Sequence, residues 1–224
     1  MKEKLKNLGK STLIIFSFFF LYISLISLSF KYIANLSETA LLYIDILFLS
    51  ICSIYLIFIF NKDLRNSFKP FIKNFTKSLK KYIGIYLLTY ILVIISNNLI
   101  IKFVSEMATN EAVNQNAVLT SPLTAIISTC ILAPFYEEVL FRLNFKKIFK
   151  NKWKFILTTG IFFGSLHLLV AKTTLELLYI IPYSLLGIVL SYIYYDSNNI
   201  YNSIFFHALN NIIQVILILI GGTL

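Results

Sequence analysis

Three short stretches of this chain carry side chains that are costly in the apolar company they keep. Residues 133–142 read APFYEEVLFR and hold Glu137, Glu138 and Arg142. Residues 162–167 read FFGSLH and end on His167, four after Phe163. Residues 205–211 read FFHALNN and hold His207, Asn210 and Asn211. An ionisable group at the centre of a membrane helix costs at least about 2.5 kcal/mol, so such residues pair or do chemistry. On a helix Glu138 and Arg142 stand at i and i+4 and face each other, which gives that carboxylate its counter-ion. Glu137 lies about 100° further round the helix. It has no partner within its own helix and stays available as a general base. His207 and Asn211 also stand at i and i+4 and point the same way. His167 and His207 are the only two histidines in the chain. Burying each group separately would require a separate partner for each. One shared polar cavity meets all the costs together.

The elements that must bring these groups together are hydrophobic helices. The chain has 224 residues, 58% hydrophobic and only 13% charged, where a soluble domain runs near 25% charged. Seven segments are long and apolar enough to be read as membrane spans, or nearly so: 11–30, 40–60, 82–101, 122–145, 155–171, 175–195 and 200–220. A span needs roughly 20 such residues. The fifth is short, and the fourth is a tilted helix or two pieces. The expected fold is therefore an all-α, polytopic integral membrane bundle of seven transmembrane helices, or eight. Seven Gly and four Pro leave little material for a turn-rich β protein.

Formal charge is +10. Nucleic acid is excluded as the reason, because the charges sit between hydrophobic runs and set topology. Lys2, Lys4, Lys6 and Lys10 precede the first segment. Lys62, Arg65, Lys69, Lys73, Lys77, Lys80 and Lys81 follow the second. Arg142, Lys146, Lys147, Lys150, Lys152 and Lys154 surround the fourth-to-fifth connection. The alternate connections hold only Lys31, Lys102 and Lys172. Basic residues favour the cytoplasmic side, so a multi-pass protein of the cell membrane is expected, with its amino terminus cytoplasmic and its carboxyl terminus outside. An odd number of spans keeps this alternation. The first segment is longer than a signal-peptide core, and no A-x-A site follows it, so it is read as a retained anchor.

The connection 61–81 sets Phe68, Phe71, Phe75 and Leu79 against Lys69, Lys73, Lys77 and Lys80. That pattern predicts a basic amphipathic helix lying on the inner leaflet. The connection 102–121 is polar and nearly neutral, a surface loop or a short helix. Asp45 in the second segment and Glu176 near the outer end of the sixth are further acids in apolar surroundings. Cys52 and Cys130 lie in hydrophobic runs without C-x-x-C spacing and read as small apolar fillers.

E-E-x-x-x-R at 137–142, F-x-x-x-H at 163–167 and H-x-x-x-N at 207–211, in that order on three hydrophobic segments, resemble the CPBP family of intramembrane proteases. That family includes CAAX prenyl endopeptidases and bacteriocin-processing or self-immunity proteins. The resemblance covers about 121–220 and divides the chain into helices one to three with the 61–81 linker (1–120) and a protease core (121–224). It implies an intramembrane endopeptidase in which Glu137 and His167 activate water. His207 and Asn211 would stabilise the oxyanion. Glu138, Arg142 and Phe163 would support the site. Leu143 stands where the family usually has glycine, which touches packing more than chemistry. The resemblance leaves the cofactor open: Glu137, His167 and His207 could ligate a divalent metal such as zinc, or a metal-free glutamate mechanism operates. Using Glu137 as a ligand removes the evident base. Implied partners are the bilayer and a peptide or protein substrate: a prenylated protein, a pheromone or a bacteriocin precursor. A non-proteolytic self-immunity or scaffold protein is the alternative. Other intramembrane proteases fit less well, since H-E-x-x-H and G-x-G-D are absent and Gly164-Ser165 is not the serine-protease G-x-S-G.

Overall fold

A computed structural model describes residues 2–33, 36–104 and 107–221 of the chain. Among the described residues there is no strand; eight helices account for the fold. They are α1 (Lys2–Ile33), α2 (Glu38–Ile59), α3 (Asn61–Val104), α4 (Thr109–Thr120), α5 (Pro122–Leu143), α6 (Lys152–Leu166), α7 (Leu175–Ser197) and α8 (Ile200–Leu219). Six of them, α1, α2, α3, α5, α7 and α8, are long and apolar enough to cross a membrane. The sequence led to seven spans, and the difference lies in α6. It has 15 residues, about 22 Å at helical rise, against a hydrocarbon core of about 30 Å. The expected fifth segment ran on to 171, but the helix stops at Leu166 and His167 caps it. Residues 222–224 lie outside the described residues.

The connection 61–81 is helical, as its periodicity predicts, but it is not a separate interfacial helix. It runs without a break into the third span as the 44-residue α3. Pro70 lies within this helix. The aromatic stripe meets protein as well as solvent or lipid. Phe68 packs edge-on against Tyr201, with ring centroids 5.4 Å apart, and Phe75 packs against Phe205 at 5.0 Å. Asn199, which caps the start of α8, also donates from Nδ2 to the Ser67 carbonyl at 2.8 Å. Periodicity marked the apolar face; its neighbour is the first two turns of α8.

The most extensive packing joins α6 and α7. Glycine makes this close approach possible. A Cβ built on Gly187 would lie 2.4 Å from the Gly160 carbonyl oxygen, and one on Gly164 would lie 2.7 Å from the Ser184 backbone nitrogen. At the end bearing the clustered lysines, Asp196 joins three elements, reaching Lys81 at 2.6 Å and Lys152 at 3.6 Å. Ser11 and Asn144 exchange hydrogen bonds at 2.8 and 3.0 Å, tying α1 to the chain after α5.

Candidate functional site

The fourth hydrophobic segment is one helix, α5, with two loosened stretches. Residues Ile126–Leu132 and Val139–Leu143 have π-helical geometry, and the α-helical turns Ala133–Glu138 lie between them. Pro134 has no N–H to give to the preceding turn, which suits the widened geometry just before it. The two glutamates therefore sit at a locally reshaped part of the helix.

Glu138 and Arg142 are both fully buried and pair at 3.0 Å. The guanidinium is held from α7 as well. Its Nη2 donates to the Gly187 carbonyl at 3.2 Å, and its Nε donates to Ser191 Oγ at 3.3 Å. Its carbon lies 4.4 Å from the centre of the Phe163 ring. Glu138 Oε1 also meets His207 Nδ1 at 2.9 Å. Arg142, Glu138 and His207 thus form one continuous chain across α5, α7 and α8.

Glu137 is the less committed acid. Its Oε2 is buried without a hydrogen-bond partner among the described residues and lies 3.8 Å from His207 Nε2. His167, at the end of α6, lies with Nδ1 3.0 Å from the Phe163 carbonyl. A carbonyl only accepts, so Nδ1 carries a proton, and in the neutral ring Nε2 keeps a free lone pair. Asn211 donates from Nδ2 to the Thr129 carbonyl at 2.7 Å, and its Oδ1 accepts from Asn210 Nδ2 at 3.1 Å. The second N–H of its carboxamide remains available. Phe163 stands between the groups, its ring 4.5 Å from that of His167 and 5.4 Å from that of His207.

These residues share one cavity of about 250 Å³, whose wall includes Glu137, His167, His207 and Asn211. It is roomy enough for several waters. Glu138 and Arg142 lie behind this wall, fully buried. The zinc ligand set left open by the sequence does not assemble. Among the described residues, no three His, Cys, Asp or Glu side chains are grouped to hold a metal ion.

Two acids that sequence reasoning had not placed in the site also line the cavity, Asp45 from α2 and Glu111 from α4. Asp45 accepts a hydrogen bond from the Tyr22 hydroxyl. Glu111 accepts one from the Tyr183 hydroxyl at 3.1 Å. Burial raises the Glu111 carboxyl above its ordinary range. Both acids precede residue 120, so the cavity draws on both sides of the expected domain boundary. For α4 a signal was available: Asn110, Glu111 and Asn114, at i, i+1 and i+4, form one helical face, and all three line the cavity. Glu176, the acid near the outer end of the sixth segment, is not in the cavity wall. It holds α4 in place, accepting from the Thr109 N–H at 2.9 Å and the Lys172 N–H at 3.0 Å.

Residues 119–213 match the family model described as type II CAAX prenyl endopeptidase Rce1-like. No curated protein and no solved structure matches the chain.

Proposed function

We propose, from the match of residues 119–213 to the Rce1-like CAAX endopeptidase family model, that this chain hydrolyses a peptide bond within the membrane, with Glu137 as the base. The observation that supports the reading is the single cavity shared by Glu137, His167, His207 and Asn211. Glu137 takes a proton from water, and the free Nε2 of His167 orients that water or shares the proton. The water oxygen attacks the scissile carbonyl carbon, and the proton passes to the leaving amine. The developing oxyanion is met by the free carboxamide N–H of Asn211 and by Nε2 of His207 in its protonated form. Glu138 accepts at the opposite nitrogen of that ring. It thereby orients the imidazole and supports its positive charge. Glu138 and Arg142 act through this positioning and take no part in proton transfer.

The substrate is a membrane-associated peptide or protein: a prenylated carboxyl-terminal segment, a pheromone precursor or a bacteriocin leader. The protein lies in the cell membrane with its basic ends cytoplasmic and α6 crossing as a short seventh span.

The test uses the full chain in proteoliposomes. A farnesylated carboxyl-terminal reporter and a double-glycine leader peptide are the probes, with products read by mass spectrometry. Wild-type protein cuts at least one of them. Glu137→Gln accumulates in membranes as well as wild type and cuts neither. Normal processing by Glu137→Gln removes the proposal, and so does failure of the wild type to cut either probe.

A further inference from the structure

His167 is tethered at Nδ1 only to a backbone carbonyl of its own helix, at 3.0 Å. It also sits at the helix end, where its backbone is an α6 cap rather than a mid-helix position. A base-assisting imidazole needs its ring plane fixed, and one bond along an edge leaves rotation about that bond open. Two rings constrain it, Phe163 at 4.5 Å between centroids and, more nearly parallel, Tyr183. Tyr183 lies against the His167 ring face with centroids 4.7 Å apart and planes 29° from parallel. Tyr183 is itself 9% exposed, and its hydroxyl donates to Glu111 Oε1 at 3.1 Å. Glu111 is anchored in turn, because the first turn of α4 is pinned by the buried Glu176 through the Thr109 N–H at 2.9 Å. A continuous line runs from Glu176 through α4 and Glu111 to Tyr183 and the face of His167.

We propose that Glu111 is a positioning residue for His167, acting through the hydroxyl and ring of Tyr183. The proposal rests on the endopeptidase reading for its kinetic consequence, but the geometry of His167 can be measured without a substrate. Glu111 lies outside the matched segment 119–213. The carboxylate acts here as a hydrogen-bond acceptor for a tyrosine, so an amide at the same position preserves the function.

The experiment compares wild type with Glu111→Ala, Glu111→Gln, Tyr183→Phe and the double variant Glu111→Ala/Tyr183→Phe, each as the full chain in proteoliposomes. Tyr183→Phe removes one oxygen and keeps the ring, so it serves as the variant safest for folding. With the reporter peptide that wild type cuts, Glu111→Ala and Tyr183→Phe each lower kcat about tenfold, the size of effect expected from a sub-ångström misplacement. KM stays within about twofold, because the constraint acts on the attacking water and not on substrate binding. The double variant is no slower than the slower single, since both cut the same link. Glu111→Gln recovers at least about a third of wild-type kcat, because its carbonyl oxygen still accepts from Tyr183.

The second readout is the imidazole nitrogen spectrum of histidine-labelled protein, which has only two rings to separate. Wild type shows His167 as a single Nδ1–H tautomer. Glu111→Ala and Tyr183→Phe show it broadened or split. Multiplying losses in the double variant, a loss carried by KM, or a Glu111→Gln defect as deep as Glu111→Ala would each overturn the proposal, as would an unchanged His167 signal in both single variants. If wild type cuts no probe, the endopeptidase reading falls, and the imidazole spectrum alone decides the Glu111 link.

Discussion

Replacing Gly187 with alanine tests how the packing of two helices sets the chemistry. A Cβ there would stand 2.4 Å from the Gly160 carbonyl oxygen and 3.0 Å from the Phe163 ring. A carbon-to-oxygen contact relaxes near about 3.3 Å, so α6 and α7 must part by roughly 1 Å. Forcing an extra methyl into a close-packed interface costs about 1–3 kcal/mol. The loss does not stay local. The Gly187 carbonyl accepts from Arg142 Nη2 at 3.2 Å and from Ser191 Oγ at 2.7 Å. Moving it loosens the guanidinium that holds Glu138. α6 carries His167 at its end, and a 1 Å displacement of a reacting group costs about a hundredfold in rate. Stability is read by thermal unfolding in detergent through the fluorescence of Trp153, the single tryptophan, which lies in the first turn of α6. Gly84→Ala is the internal control. Nothing lies within 4 Å of a Cβ there, so alanine raises stability by about 0.5–1 kcal/mol through helix propensity. Unfolding of Gly187→Ala at the wild-type temperature, with wild-type cleavage, would refute the claim that glycine-mediated approach sets the site.

Arg142→Met leaves Glu138 buried without its counter-ion and costs about 3–5 kcal/mol. The double variant Glu138→Gln/Arg142→Met accumulates better than Arg142→Met alone, measured as folded protein recovered from membranes. Asn211→Ala removes a proposed oxyanion donor and lowers kcat about a hundredfold. Its unfolding temperature falls little, which separates it from the Arg142 variant. Burial holds the Glu111 carboxyl above the ordinary value of 4.5. The native state then binds that proton more tightly than the unfolded chain does, so the stability it lends is full below about 4.5 and is lost as pH rises through the native value. Glu111→Gln therefore flattens the unfolding-temperature profile across that window, and an unaltered profile would count against a buried Glu111.

How much of this was legible in the sequence depended on contrast. Glu137, Glu138, Arg142, His167, His207 and Asn211 stand out because an ionisable or amide group in a hydrophobic run has a cost that must be met somewhere. Spacing alone paired Glu138 with Arg142, and the two lie 3.0 Å apart. The bond from Glu138 to His207 was not legible, because it joins residues 69 positions apart. Glu111 was passed over for the opposite reason. It sits among Asn and Gln in a polar stretch where a carboxylate draws no attention, and only the fold turns that face inward. Tyr183 is one of 14 tyrosines, and nothing local distinguishes it. The stripe of Phe68, Phe71 and Phe75 was read correctly as one helical face. Its neighbour was not, since a bilayer and the Tyr201–Phe205 surface are equally apolar partners.

The adjacent glutamates divide two tasks that one carboxylate could not perform. A base must be free to exchange a proton, and a scaffold carboxylate must not. Glu138 is 0% exposed and is bound by Arg142 and by His207. Protonating it would strand a buried guanidinium, so its charge is locked by the cost of the alternative. Glu137 has no guanidinium partner, its Oε2 lacks a hydrogen bond, and it opens to the cavity. The same geometry orients His207. With Nδ1 committed to Glu138, its Nε2 faces Glu137 at 3.8 Å, the side on which a substrate carbonyl would develop negative charge. In the proposed mechanism the pair E-E is one fixed acid that aims the donor and one less committed acid that takes the proton. Exchanging the roles by moving Arg142 one position along the helix would disable both.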